Sequence, residues 1–336
     1  MNTEKLILFS FLLISSLLHA GRYAGDFMMI GAGVRPLSMG GAYVATAEGV
    51  EAIYWNPAGL SQKKSAEIAL MRAFLYEDLA SYDFMGYVQP LPNNVTVGIS
   101  WTRLSIDKIP EFSEKWLVGT NIDERILNSD LHLPGVPDGY FSGTDDLFQF
   151  GFSKYIRKDV DMGWLFFEIP VDFYFGSNVK YIKRELYDNV AAGVGIDGSF
   201  LTKLPFSELV EVGWFGDLKI GINVQDIGGT VLSWDTESDH EDEILMNTKF
   251  GVAYVQPISS LKSKLTLAWD SDYVYKQVNH WGFEYDFRNI FSVRGGYYDK
   301  NYSVGLGFEF YKFVLDYGFI TNPLGNTNRV GLKYLF

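Results

Sequence analysis

The chain has 336 residues, no cysteine and a formal net charge of −13. Without cysteine there is no disulfide, no thiolate metal site and no cysteine nucleophile, and an acidic chain that lacks a basic block is a poor nucleic-acid binder. Aromatic residues make up 16% of the chain and glycine occurs 34 times, a bias typical of β-strands and tight turns.

The first twenty residues have the pattern of an export signal. Residues 1–5 form a short polar start, residues 6–18 form an apolar run, and Ala20 ends the segment with a small residue suitable for cleavage. A run of thirteen apolar residues is too short to cross a bilayer comfortably, although a retained anchor is the competing interpretation. We predict a signal peptide over residues 1–20.

The next segment, up to residue 65, lacks strand character and is rich in small residues. Gly40-Gly41 and Asn56-Pro57 mark turns, and residues 42–47 and 51–55 have the length of one- or two-turn helices between them. A compact segment that precedes a barrel is a natural plug for its lumen. We therefore predict that residues 21–65 form a hatch.

From about residue 66 to the end, apolar residues alternate with polar residues or glycine. Residues 302–310 are the clearest case, because Tyr302, Leu306 and Phe310 fall on one face with glycine and serine on the other. Successive side chains of a strand point to opposite faces, so each such run predicts a strand. The runs number fourteen and lie near 67–76, 82–90, 95–102, 145–155, 171–184, 189–200, 218–226, 247–256, 263–272, 279–288, 290–298, 302–310, 312–320 and 328–336.

Two architectures have one apolar and one polar face per strand. A soluble sandwich buries the apolar face, whereas a membrane barrel turns it toward lipid and lines its lumen with polar residues. Aromatic residues near the strand ends and the predicted export favour the barrel. We predict an all-β fold, a transmembrane antiparallel β-barrel of about fourteen strands over residues 66–336. Its predicted lumen charges, which we expect to pair with one another, are Glu284, Asp286, Arg288, Arg294, Glu309, Asp316 and Lys333.

An even strand count predicts that both termini are periplasmic. The connections from odd to even strands are then external and can be long, as the gaps at 103–144 and 227–246 are. The turns near 156–170 and 201–217 are longer than this rule prefers, which indicates a boundary error or a short helix.

Two motifs in the hatch segment carry a family resemblance. The pattern RPLSMGGAYVA (Arg35–Ala45) followed by YWNPAGL (Tyr54–Leu60) resembles the N-terminal signature of the PorV/PorQ family of FadL-like outer-membrane barrels, and Leu324–Phe336 is similar to its closing strand. The resemblance implies a hatch inside the lumen and an insertion signal at the terminal Phe336. The hatch residues that it implies are Asn56, Pro57 and Ala58 and, more loosely, Met39, Gly40, Gly41 and Trp55.

The same resemblance leaves two functions open. PorV-type members bind and shuttle exported proteins with a C-terminal signal domain, beside a large translocon barrel of type IX secretion. FadL-type members pass long-chain fatty acids and other hydrophobic molecules through a hatch-gated barrel. Because the motifs are nearer to the PorV/PorQ side, we expect the shuttle first and the transporter as the alternative. A mainly structural or rim-active barrel is a third hypothesis.

The remaining signals are weak. An acidic run that includes Asp235 and Glu243 has oxygen ligands suitable for Ca²⁺, but a solvated external loop explains it better. His132, His240 and His280 are the histidines beyond the signal segment, and a sequence neighbour such as Asp239 does not by itself give His240 the geometry of a general base. We predict no catalytic residue, no cofactor and no metal. The expected partners are outer-membrane lipid and either secretion proteins or an amphiphile.

Overall fold

The computed structural model describes residues 24–112, 137–161, 163, 168–206, 215–236 and 240–336. The predicted signal peptide and His132 lie outside these residues. Within them, no helix has the length and apolar character needed to cross a membrane.

The wall of the molecule is a closed antiparallel β-barrel. Fourteen strands pair with their neighbours around the barrel, and the last strand pairs with the first from Glu67↔Leu335 to Phe74↔Asn328. This confirms the predicted fold class and strand number. The wall strands are β1 Glu67–Leu75, β2 Ala80–Leu91, β3 Val95–Glu111, β4 Gly139–Asp161, β5 Glu168–Leu186, β6 Asn189–Leu204, β7 Asp217–Gln225, β10 Asn247–Ile258, β11 Ser263–Tyr273, β12 Gln277–Phe287, β13 Phe291–Tyr298, β14 Asn301–Phe310, β15 Phe313–Ile320 and β16 Thr327–Leu335.

The two remaining strands form a hairpin where the sequence predicted only an external loop. Strand β8 (Thr230–Trp234) pairs with β9 (Glu241–Ile244) and adds to β6 through Ala191↔Trp234. Thr230 and Leu232 are buried while the residues between and beside them are not, so this short segment alternates as a wall strand does. The loop prediction for residues 227–246 was therefore wrong in part.

The apolar faces of the strands point outward. In β14, Val304, Leu306 and Phe308 are about half exposed, whereas Ser303 is 2% exposed and faces the lumen. A soluble sandwich would show the opposite distribution. An apolar outer surface around a polar interior is the arrangement of a membrane barrel, and it distinguishes between the two architectures that the alternation allowed.

The barrel has two ends, which we name by their connections. The turn end carries short turns such as 92–94 and 311–312 together with Phe336, and the loop end carries the β3–β4 connection and the β8–β9 hairpin. The predicted long turn at 156–170 was a boundary error, because β4 extends to Asp161 and β5 begins at Glu168. Of the second long turn, residues 207–214 lie outside the described residues.

The segment before β1 lies inside the barrel and crosses it from the loop end to the turn end. At the loop end, Arg184 of β5 donates a hydrogen bond to the carbonyl of Ala24 at 3.3 Å. The first described residue thus lies at the end of the barrel opposite Phe336. The N-terminus itself lies outside the described residues, so the expectation that both termini are periplasmic stays a prediction. The hatch contains helices α1 Asp26–Met29, α2 Val34–Ser38 and α3 Ala52–Trp55 and a 3-10 helix over Pro57–Gln62, and a further 3-10 turn lies at Ser259–Leu261.

Phe336 closes the barrel at the turn end, which gives a first testable prediction. Its amide donates to the carbonyl of Ala66 at 3.0 Å, and its ring packs edge-on against Tyr334 at 5.0 Å between centroids. Because the side chain is 55% exposed on the outer surface, we expect Phe336→Ala to lower barrel assembly in the membrane more than the stability of assembled barrels. The heat-dependent gel shift of folded barrel in outer-membrane fractions measures assembly, with Phe310→Ala as a control.

Candidate functional site in the barrel lumen

Wall side chains satisfy the carbonyl groups at the end of α3. The last carbonyls of a helix have no partner within it and need one elsewhere. The amide of Asn178 donates to the carbonyl of Ile53 at 2.8 Å, and that of Asn223 donates to the carbonyl of Trp55 at 2.9 Å. Gln149 and Gln225 reach the carbonyls of Ile53 and Tyr54 at 3.3 and 3.2 Å. Three wall strands thereby fix the position of one short helix.

The predicted Asn-Pro-Ala turn lies against β4, β5 and β6. Asn56 donates from Nδ2 to the carbonyl of Val44 at 2.8 Å and accepts at Oδ1 from the Ala58 amide at 3.1 Å. The Ala58 amide also meets Ser199 Oγ at 2.8 Å. Opposite this turn, a Cβ atom on Gly176 would stand 2.1 Å from the Ala58 nitrogen. Pro57 and Ala58 therefore touch bare wall backbone, which only glycine permits at that point.

The Met39-Gly40-Gly41 turn touches the opposite wall. Gly40 has a φ of +65°, its amide donates to Ser303 Oγ at 3.0 Å, and its carbonyl is 2.7 Å from His280 Nδ1. A Cβ on Gly296 of β13 would lie 2.0 Å from the Gly40 nitrogen. Met39 itself is fully buried. The two turns that the resemblance placed in the hatch thus press against opposite sides of the lumen.

Residues 42–47 are not helical, contrary to the expectation from their composition. The amides of Tyr43 and Val44 both donate to Oδ2 of Asp270, at 2.5 and 2.6 Å, instead of to carbonyls within the segment. Asp270 lies on β11 and is 2% exposed. The Asp270 carboxylate thus takes the backbone N–H groups that a helix over these residues would use. A buried carboxylate needs such hydrogen-bond donors.

Trp55 joins the hatch to itself and to the wall. Its Nε1 donates to the carbonyl of Ala32 at 2.7 Å, and Lys249 of β10 lies over its ring at 5.1 Å. A cation above an indole ring is an attractive contact. Trp55, at the end of α3, therefore fixes the earlier hatch segment around Ala32 against α3.

At the turn end, hatch and wall are joined by a continuous series of ion pairs. Arg35 of the hatch contacts Glu48 at 2.5 Å and Glu284 of β12 at 2.7 Å. Arg294 of β13 contacts the same Glu284 at 2.7 Å and Asp316 of β15 at 2.6 Å. Lys333 of β16 lies 3.9 Å from Asp316 and contacts Glu51, again in the hatch, at 2.7 Å. We call these seven side chains the ion-pair chain.

The structure places six of the seven predicted lumen charges around one cavity of about 260 Å³ at the turn end, namely Glu284, Asp286, Arg294, Glu309, Asp316 and Lys333. Arg288 is the exception and this assignment was wrong. Strand β12 ends at Phe287, and Arg288 follows it in the turn with a φ of +60°, exposed and stacked over the Phe287 ring at 4.9 Å. Alternation in the sequence predicts which face a side chain points to only as far as the strand extends.

The loop end contains two adjoining cavities beside the start of the hatch. The inner cavity has a volume of about 120 Å³ and lies against Trp55, Tyr54 and Leu37 of the hatch, with Val278 and His280 of β12 on the wall side. The outer cavity has a volume of about 380 Å³ and lies between α1 and the loop ends of β1, β13 and β16. Met29 and Tyr298 border both cavities.

Sequence reasoning missed most of the wall residues that hold the hatch. The sequence analysis did not single out Asp270, Asn178, Asn223 or Arg329 as partners of the hatch. All of them fall on the polar face of an alternating strand. The alternation therefore carried a usable signal, since polar residues of a plugged barrel face the plug.

The weaker sequence signals fall at separate places in the part of the chain that the structure describes. Among the described residues, no group of three His, Asp or Glu side chains is arranged to hold a metal ion. Of the acidic run, Glu237 and Asp239 lie outside the described residues, and Asp242 contacts the exposed His240 at 3.3 Å. His280 belongs to the hatch contacts instead.

Comparison with solved structures gives a likeness of fold. The TodX deltaS2S3 mutant monoaromatic hydrocarbon channel matches with a TM-score of 0.51 and 11% identity over 91% of this chain and 97% of that one. The toluene transporter TodX of P. putida has a TM-score of 0.48 at 11% identity, covering 91% and 99%. The CymD monoaromatic hydrocarbon channel has a TM-score of 0.46 at 11% identity, covering 91% and 98%. No protein-family model and no curated protein matches the chain. The comparison with the TodX deltaS2S3 mutant shows a shared fold.

Proposed function

We propose that this chain is an outer-membrane barrel that takes up hydrophobic small molecules from outside the cell past its hatch. The observation that carries the proposal is the pair of loop-end cavities that lie on the hatch. The inner cavity is lined mainly by apolar and aromatic side chains, and the outer cavity is lined by apolar, aromatic and polar side chains together. Concave, mostly apolar pockets with a few polar groups are the usual form of small-molecule sites. The loop end then faces outward and Phe336 faces the periplasm.

The size of the cavities supports small ligands. An engineered apolar cavity of about 150 Å³ binds benzene. The inner cavity, at about 120 Å³, is somewhat smaller and has room for part of a ligand, such as a short acyl segment. The outer cavity is about three times larger, at about 380 Å³, and continues from it past Met29. A molecule that enters from the loop end meets the outer cavity first and the hatch last.

Passage then requires the hatch to move, because the hatch fills the lumen between the two ends. Hatch backbone lies directly on the wall at Gly176 of β5 and Gly296 of β13. At the turn end, the ion-pair chain also joins the hatch to the wall. We propose that the hatch, including Asn56, Pro57 and Ala58, is the gate.

The proposal favours the transporter over the secretion shuttle that the sequence motifs put first. The fold likeness is to a hydrocarbon channel, and the loop-end cavities suit a small molecule in preference to a protein segment. A lumen closed by the hatch is compatible with both a transporter and a secretion shuttle, so it does not distinguish between them.

Filling the inner cavity tests the proposal. Val278 lines this cavity from β12, and we expect Val278→Trp to occupy it and to weaken binding of radiolabelled decanol by about tenfold or more, because steric exclusion removes the apolar contacts of the ligand. Binding is measured on purified barrel in lipid nanodiscs, with empty nanodiscs subtracted.

The matched control is Val304→Trp, which places the same side chain on the lipid-facing surface, where Val304 is 55% exposed. This variant should bind decanol as the unaltered protein does. Equal binding by both variants, or no specific binding by the unaltered protein, would show that the cavities are not the ligand site.

A further inference from the structure

Three neighbouring turns at the turn end share one pattern. They connect β10 to β11, β12 to β13 and β14 to β15, so they follow one another along the rim of the barrel. Each turn contains one basic residue and one large apolar or aromatic residue, namely Lys262 with Leu261, Arg288 with Ile290, and Lys312 with Tyr311. Because successive turns are two strands apart, the basic residues are spaced by roughly 10 Å along the rim.

Backbone hydrogen bonds fix these turns relative to one another. Lys262, Arg288 and Tyr311 have left-handed backbone conformations, with φ values of +52°, +60° and +60°. The Arg288 amide donates to the carbonyl of Lys262 at 3.0 Å, which joins the first turn to the second. The amide of Leu335 donates to the carbonyl of Lys312 at 2.8 Å and holds the third turn on the last strand. The three basic residues therefore belong to one continuous surface.

The apolar residues of the three turns are exposed. Leu261 and Ile290 are about half exposed, and Tyr311 is 84% exposed. A single exposed apolar residue needs no explanation, but here one lies in each of three consecutive turns. Phe310 and Phe313, on either side of the last turn, also point outward and are exposed. The apolar outer surface of the barrel therefore continues into the turns.

The basic residues of these turns have aromatic neighbours in place of acidic partners. Arg288 lies over the Phe287 ring at 4.9 Å, Lys312 lies over the Tyr334 ring at 5.9 Å, and no ion pair joins Lys262, Arg288 or Lys312 to another residue in the described part of the chain. Long basic side chains beside rings at a membrane interface can lay their apolar stems on the protein and keep the charge at the headgroups.

The acidic residues nearest to these turns are used elsewhere. Asp286 lines the turn-end cavity, lies 3.9 Å from Lys264 and accepts a hydrogen bond from the Asn289 amide at 3.0 Å. Glu309 lines the same cavity from β14. Both carboxylates therefore belong to the lumen, and the three turns themselves contain three positive charges and no negative charge.

The loop-end turns on the same side of the barrel differ in charge. The β11–β12 turn contains Lys276, and the β13–β14 turn contains Asp299 and Lys300. Lys276 contacts Asp299 at 3.0 Å. A carboxylate thus accompanies the basic residues at the loop end, so the concentration of unpaired positive charge is a property of the turn end on this side.

We propose that the three turns bind the phosphate groups of anionic phospholipids in the adjoining leaflet, with Lys262, Arg288 and Lys312 at the phosphates. Leu261, Ile290 and Tyr311 then lie among the upper parts of the acyl chains. Lysine and arginine both bind phosphate groups, and aromatic and basic residues at a membrane interface set the position of a protein in the bilayer. In the orientation proposed above, this leaflet faces the periplasm. The inference does not depend on what the barrel transports.

The experiment measures which lipids stay on the barrel. Purified protein is placed in nanodiscs of equal amounts of phosphatidylglycerol and phosphatidylcholine, and the lipids that remain bound after release into detergent are counted by native mass spectrometry. We expect phosphatidylglycerol to be enriched, and the triple substitution Lys262→Gln, Arg288→Gln, Lys312→Gln to lower the ratio of the two lipids by about fivefold or more, because each basic residue near an anionic surface favours it by about that factor. Added salt should also lower the enrichment.

The matched control removes three basic residues from the other end. Lys108, Lys276 and Lys300 are exposed at the loop end, and their replacement by glutamine should leave the lipid ratio unchanged. The heat-dependent gel shift confirms that both variants are folded. An unchanged ratio in the turn-end variant, an equal loss in both variants, or no enrichment by the unaltered protein would each overturn the inference.

Discussion

Replacing Gly176 by alanine should open the lumen. The added Cβ would lie 2.1 Å from the Ala58 nitrogen and 2.4 Å from the Pro57 carbonyl carbon, and backbone atoms cannot rotate away as a flexible side chain can. Such overpacking costs roughly 1–3 kcal/mol, and it falls on the contact between hatch and wall and not on the strand, because alanine fits β5 itself. We expect single-barrel currents in a planar bilayer to rise well above those of the unaltered protein.

Gly98→Ala is the matched control for this prediction. Gly98 also faces the hatch from the wall, but its added Cβ would lie 3.4 Å from Leu60 Cδ2, an ordinary contact distance. Its current should match that of the unaltered protein. Should Gly176→Ala remain equally closed, the hatch would have to be held by contacts other than the close approach of Ala58 to β5.

Removing Glu284 should release the turn-end half of the hatch. Glu284 is 1% exposed and contacts both Arg35 and Arg294. Breaking a buried ion pair costs about 3–5 kcal/mol, and we expect Glu284→Ala to lie near the lower value because each arginine keeps one other carboxylate. Hydrogen exchange of residues 34–51, followed by mass spectrometry, should become faster by a factor of about 100.

Asp286→Ala serves as the comparison, since Asp286 is two residues away on the same strand. Its contact with Lys264 is 3.9 Å long and partly exposed, so its loss should cost about 1 kcal/mol or less. Exchange in residues 34–51 should hardly change. Equal acceleration in both variants would mean that any charge lost from this cavity loosens the hatch, and that the ion-pair chain has no special part in holding it.

The barrel was predictable from the sequence because its signal is repeated. Each of the fourteen wall strands carries its own alternation, so an error at one end, as at residues 156–170, leaves the others intact. The β8–β9 hairpin was missed because five and four residues give too short a run for alternation to stand out.

The contacts of the hatch were less accessible to sequence reasoning. Asp270 and the Tyr43 amide are 227 positions apart, and no local pattern relates them. The same holds for Arg35 and Glu284, which are 249 positions apart. The alternation of apolar and polar residues identified the polar face on which such partners lie, but which residues pair depends on how the barrel closes. Arg329 is a further case, because the carbonyls of Gly31 and Ile30 to which it donates are 298 and 299 positions away.

The most direct test of the account is gentle purification of the native protein from its own outer membrane, with mass spectrometry of everything that accompanies it. We predict recovery of the barrel with a small hydrophobic molecule, which Val278→Trp depletes. Recovery of a large translocon barrel or of exported proteins that share a C-terminal domain, without any such ligand, would contradict the transporter and establish the secretion shuttle in its place.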